Sequence, residues 1–202
     1  MLSIYHFDTP LSDNCLLTEQ YLQNISEKIE RSHHLFFVPI ISESMMNIIK
    51  ESIVLSEPCV DKPEDKITLV YRLILDFKAA QIEGNKKARA LLIELQKSLL
   101  TDKKSYSLDL VTDVAKMVNL NIQDFLYNRN SSETVQSILD DQQLAHDMLT
   151  KIQPTVAIDD AFILNTQILT NFSVDDLLPA FLPHIDNHKT QTKTVESSVN
   201  LA

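Results

Sequence analysis

The sequence predicts an α/β fold in which a small sheet is interrupted by a long helical stretch. Three observations predict it: an opening that reads strand, helix, strand; a middle of roughly 110 residues with apolar side chains at helical spacing; and a return, beyond Pro154, to strand, strand and helix. With 202 residues and 44% apolar content the chain is long enough to bury one substantial core.

Leu2 to Phe7 is rich in aromatic and branched side chains and predicts the first strand. From Ser12 to about Glu30, Leu22, Ile25 and Ile29 recur at helical spacing, with Cys15 seven residues before Leu22 on the same face. His34 to Ile40 is a short apolar run that predicts a buried second strand. A short helix is expected over Met45 to Leu55, and the segment Pro58 to Pro63 breaks the pattern. Ile67, Val70, Ile74 and Phe77 form the next stripe, then Ala88, Leu91, Leu92, Leu95 and Leu99. Gly84, the sole glycine, is expected to supply a positive φ at the join of these two antiparallel helices. Val111, Val114, Ala115 and Val118 form another stripe, ending at Asn119. Asn121 and Ser131 or Ser132 read as helix starts, the latter for a helix carrying Val135, Ile138, Leu139 and Met148. Thr155 to Ile158 and Phe162 to Thr166 predict a hairpin with an acidic turn. Ser173 with Asp176 opens a last helix, with bends expected at Pro179 and Pro183.

Composition narrows the function. A net charge of −10 argues against a phosphate-backbone binder, so no nucleic-acid partner is expected. A single glycine excludes the glycine-rich loops that hold ATP and NAD, so no cofactor is expected. Cys15 and Cys59 are too few for a disulfide framework or an all-cysteine metal site, and no metal is expected. Met1 leads straight into a strand pattern without a basic or small-residue signal, and no apolar run approaches a membrane span. A cytoplasmic protein is the expectation.

The pair of segments that bears on chemistry is Pro10-Leu11-Ser12-Asp13-Asn14-Cys15, closing the first strand, and Ile152-Gln153-Pro154-Thr155-Val156, opening a late one. Together they resemble a thioredoxin-type active site, in which a Cys-x-x-Cys turn lies against a cis-proline, with Pro154 as the cis-proline candidate and Ser12 where the first cysteine belongs. Dithiol exchange needs a thiolate of lowered pKa and a second, resolving thiol. A serine hydroxyl cannot replace that thiolate, and no neighbouring base in sequence makes Ser12 a hydrolase nucleophile. The expected role of Ser12 is to cap the helix by accepting the N–H near Cys15, with Asp13 favoured by the helix dipole. Cys15, on the apolar face, is expected to be a buried, inert thiol.

The element order resembles the DsbA-like branch of the thioredoxin superfamily: a thioredoxin-like domain over 1–41 and 152–185, a helical insertion over 42–151, and a mobile polar tail over 186–202. Within the insertion, Leu75-Asp76-Phe77-Lys78-Ala79-Ala80-Gln81-Ile82-Glu83-Gly84-Asn85-Lys86-Lys87-Ala88-Arg89, then Leu95-Gln96-Lys97-Ser98-Leu99, is similar to the SpxH (YjbH) family. So is Asp140-Asp141-Gln142-Gln143-Leu144-Ala145 leading to Pro154-Thr155. That resemblance implies a non-catalytic cytosolic adaptor that binds the regulator Spx and delivers it to the ClpXP protease, with Spx and ClpX as partners. Ser12, Asp13, Asn14, Gln153, Pro154 and Thr155 are then the candidate recognition surface. The rival is a DsbA-like thiol oxidoreductase or a glutathione-dependent relative, for which Cys15 must act alone.

The remaining motifs carry plainer readings. Cys59 is an ordinary loop cysteine, with pairing to Cys15 left open. His33 and His34 lack a completing ligand set, and His6 is a partly buried polar residue near the degenerate site. Lys86, Lys87 and Arg89 read as a solvated helix face.

Overall fold

The structure, a computed structural model, describes residues 1–12, 15–41, 66–148, 154–161 and 164–185. Its elements run β1 (Leu2–Asp8), α1 (Cys15–Ser26), β2 (His33–Pro39), α2 (Lys66–Gln81), α3 (Asn85–Leu100), α4 (Leu108–Met117), α5 (Ile122–Arg129), α6 (Ser132–Asp147), β3 (Thr155–Asp160), β4 (Asn165–Thr170) and α7 (Val174–Ile185). This is a thioredoxin-like, DsbA-like α/β fold. The helix expected over 45–55, Cys59 and the segment 186–202 lie outside the described residues.

The four-stranded sheet has the order β2-β1-β3-β4. β1 pairs in parallel with β2, while β1 with β3 and β3 with β4 are antiparallel. Alternation along β1 sorts its side chains between two faces. Leu2 and Ile4 join α1, Leu35, Phe37, Val156, Ile158 and Phe181 in the main core, whereas Phe7 joins Val38, Ala157 and Ala145 in a second cluster. Phe7, Phe77, Phe125 and Phe181 are among the largest fully buried side chains, each stabilising the fold by about 1.5–3 kcal/mol through area removed from water.

α2 is the central helix: Val70 through Ala80 are all buried, as expected of a helix enclosed by others. Two of its buried polar residues, Asp76 and Lys78, are paired, while the Nε of Arg72 has no hydrogen-bond partner among the described residues. Asp76 accepts hydrogen bonds from Arg129 and from the Tyr106 hydroxyl (2.8 Å), Arg129 donates to the Tyr106 oxygen (2.7 Å), and Lys78 meets Asp141 at 2.9 Å. Gly84 has φ +130°, a region essentially reserved for glycine, and it sits immediately before α3 rather than closing a left-handed cap on α2. The caps expected at Asn121 and Ser131 are present: Asn121 accepts from Gln123 and Asp124 N–H, Ser131 from Thr134 N–H.

Three expectations are corrected. α1 ends at Ser26, short of Glu30. The second hairpin strand runs over Asn165–Thr170 rather than from Phe162 to Thr166, because Leu164 takes φ +49° and stands 92% exposed in the turn. Arg89 is not on a solvated face: its Nη1 donates to Leu35 O at 2.7 Å and its guanidinium lies over the Phe37 ring.

Candidate functional site

The degenerate site is built where β1 ends and α1 begins. Asp8, the last residue of β1, lies on the face shared by Leu2, Ile4 and His6, so its carboxylate is buried beneath the turn. It accepts the Thr9 N–H at 2.7 Å and the Ser12 hydroxyl at 2.8 Å on each oxygen. Ser12 N–H closes the turn on Thr9 O (3.0 Å), and Thr9 Oγ1 ties it to Ile40 O beyond β2 (3.0 Å). Between them Leu11 is held at φ +63°, a left-handed conformation unusual for a bulky residue. Its N–H donates to Gln96 Oε1 of α3 at 3.1 Å.

Two features differ from the sequence-based expectation. The Ser12 hydroxyl does not cap α1: it is committed to Asp8, and Cys15 N–H instead reaches the backbone oxygen of Ser12 at 3.2 Å. The second is a buried polar pair that was missed. Glu19, one turn beyond Cys15, accepts the Cys15 thiol at 3.3 Å on one oxygen and the Gln96 amide on the other. Both lie on otherwise apolar stripes, Glu19 between Cys15 and Leu22 and Gln96 between Leu92 and Leu99, and that placement is the signal available in sequence.

The electrostatics follow from burial. Glu19 is pushed up to about 8, chiefly by desolvation and further by the Asp8 charge, against the hydrogen bonds from Cys15 and Gln96. Asp8 is raised by burial, partly offset by its bonds from Ser12 and Thr9. Burial and the adjacent carboxylates push the Cys15 thiol well above its usual range. A reactive cysteine needs the reverse, a partly exposed thiolate in a positive environment. His6 is fully buried, its ring edge-on to Phe37, and desolvation lowers it to about 3. Its Nε2 stands 3.9 Å from Asp8 Oδ2 and, with the imidazole neutral, makes no ion pair. The Ser12 hydroxyl faces the Asp8 carboxylate rather than an imidazole, so the described residues of the turn hold no serine–histidine pair.

Of the other candidate residues, Thr155 pairs opposite Phe7, which brings Pro154 and Thr155 to the same end of the sheet as Asp8 and the Ser12 turn. Pro154 is half-buried, but Thr155 is fully buried inside the sheet and, contrary to expectation, is not displayed at the surface. Asp13, Asn14 and Gln153 lie outside the described residues. His33 is bonded to Ser26 Oγ and Arg31 O, and no group of three or more metal-ligating side chains occurs among the described residues. No described helix is long and apolar enough to cross a membrane.

Comparison with known proteins agrees with this architecture. A curated relative, the ClpXP adapter protein SpxH of Bacillus subtilis (strain 168), is 22% identical over 171 residues, covering 77% of this chain. The chain spans only 57% of that relative's length. Among solved structures, a putative protein disulfide isomerase from Nitrosomonas europaea has a TM-score of 0.64 at 12% identity, over 90% of this chain and 98% of that one. The cytosolic disulfide reductase DsbM from Pseudomonas aeruginosa has a TM-score of 0.57 at 12% identity, over 92% and 94%. At such identities the likeness is one of fold. The thioredoxin family model matches residues 5–171, and the chain belongs to that family.

Proposed function

We propose that the chain is a non-catalytic, cytoplasmic adaptor that binds a Spx-type regulator and promotes its degradation by the ClpXP protease. The observation that carries the non-catalytic part is the chemistry at the turn: a serine bonded to Asp8 where a thiol would attack, and a buried, protonated Cys15 bonded to Glu19. The distant likeness to SpxH supports the adaptor part. The Asp8 and Gln96 bonds hold the turn over Leu11 and Ser12 in one shape, as a recognition surface requires. To that surface we assign Asp13, Asn14, Gln153 and Pro154, while Thr155, fully buried, supports it without being displayed. The working partners are Spx and ClpX, and no nucleic acid or membrane takes part.

The second reading, a DsbA-like or glutathione-dependent oxidoreductase, draws on neighbours such as the disulfide reductase DsbM. It requires Cys15 to ionise and reach solvent. Binding of Spx to the purified protein under reducing conditions, in wild type and in a Cys15→Ala, Cys59→Ala variant, separates the two. Equal affinity supports the adaptor reading; no binding by either protein removes it, and binding only by the wild type favours the thiol reading.

A further inference from the structure

The two edges of the sheet are finished differently. On β2, Arg89 donates to Leu35 O, Gln142 Nε2 donates to Pro39 O (2.9 Å) and Gln142 Oε1 accepts Ile41 N–H (3.0 Å), so side chains from α3 and α6 satisfy the outer backbone. On β4 none of the described residues supplies such a bond. The strand pairs with β3 through six consecutive positions without a bulge, and Asn165–Thr170 contains no lysine, proline or charge. These are the devices by which natural sheets protect an edge. Thr166, Gln167, Ile168 and Thr170 are exposed, Ile168 by 50%, and Leu164 at the head of the strand by 92%. Every second residue of such a strand turns its N–H and C=O away from β3, which is a template for another strand.

The surroundings specify the charge of what fits. From Pro154 to Ile185 the sequence holds Asp159, Asp160, Asp175 and Asp176 and no lysine or arginine. Asp160 is taken by Arg31 at 2.6 Å and Asp176 accepts the Ser173 N–H (2.7 Å) and hydroxyl (2.8 Å) on one oxygen, but Asp159 lies against β4, accepting the Thr166 hydroxyl at 3.0 Å, and Asp175 stands exposed at the start of α7. We propose that the outer edge of β4 docks an extended, lysine- or arginine-bearing segment of a partner protein, which adds as a further strand with its cations facing these aspartates. The edge lies on the last strand rather than at the Ser12 turn, so the inference stands independently of the adaptor reading.

The test uses the 15N-labelled full chain and two short capped peptides, one alternating lysine and valine, the other glutamate and valine. The lysine peptide should slow amide exchange at alternate residues between Thr166 and Thr170 by about tenfold or more. The glutamate peptide should not, and Ile168→Lys should abolish the effect while exchange at Ala157 stays native. Four results overturn the proposal: no protection by the lysine peptide; equal protection by the glutamate peptide; protection in the protein alone that grows with its concentration, which means a second copy; or concentration-independent protection that disappears on truncation after Ile185, which means the chain's own residues fill the edge.

Discussion

Replacing Glu19 by glutamine should remove the alkaline limb of the protein's stability profile. The side chain is buried and its carboxyl is raised from its ordinary value of 4.5 to about 8. Between those values the folded chain holds a proton that the unfolded chain has released, so stability falls with rising pH by up to about 1.4 kcal/mol per pH unit. This contribution is fully present below pH 4.5 and lost as pH passes 8. His6 works in the opposite sense: lowered from 6.5 to about 3, it is neutral in the folded chain while the unfolded chain is protonated, so stability rises with pH across that window. The two slopes oppose each other between pH 4.5 and 6.5. Above that plateau Glu19 acts without His6, and about 2 kcal/mol should be lost by pH 8. Asp8, Asp76 and Asp141, raised by burial, share the sign of Glu19, and His184 that of His6. They are common to both proteins and cancel to first order in the difference. A glutamine mimics the protonated acid: its oxygen accepts the Gln96 amide and its NH2 faces the Cys15 sulfur. His6 is likewise common to both and cancels, so urea unfolding from about pH 4 to 9 should show the two proteins diverging from pH 4.5 upward in favour of the variant, by about 1.4 kcal/mol per pH unit until pH 8. A constant offset across the range would refute the assignment of a buried, protonated Glu19.

Other outcomes test neighbouring parts of the account. In a Cys59→Ala background Cys15 should resist a thiol reagent in the folded protein at pH 8 and react at once in urea; rapid reaction while folded would restore a chemical role for it. Asp76→Ala should cost about 3–5 kcal/mol in urea unfolding because it strands the buried Arg129, while Tyr106→Phe, which keeps that ion pair, should cost about 1–1.5 kcal/mol. Gly84→Ala should cost about 1–3 kcal/mol although nothing lies within 4 Å of the added carbon, since the penalty is the φ of +130° itself; a neutral result would mean the turn relaxes freely.

The helices were legible because a buried helix face repeats, and α2, α3 and α4 each carry the stripe that located them. The β3–β4 hairpin was legible only in part. Phe162, Ile163 and Leu164 are apolar and read as strand, whereas the strand that forms, Asn165–Thr170, is exposed over most of its length and offers no burial pattern to read. At the site, the loss of the thiol at position 12 was visible in the letters, but the destination of the Ser12 hydroxyl was not, since helix starts favour a capping serine and the competing acceptor, Asp8, acts through the turn geometry. Gln96 lies 77 positions from Glu19, and only the packing of α3 on α1 brings them together.

The central claim is tested most directly by the rate of Spx degradation in a reconstituted ClpXP reaction, under reducing conditions, as this protein is titrated in. An adaptor acts by binding, so stimulation should rise until the protein matches its client in amount, and it should be unchanged in the Cys15→Ala, Cys59→Ala variant. No stimulation at any ratio, with Spx and protease shown to be competent, would contradict the account.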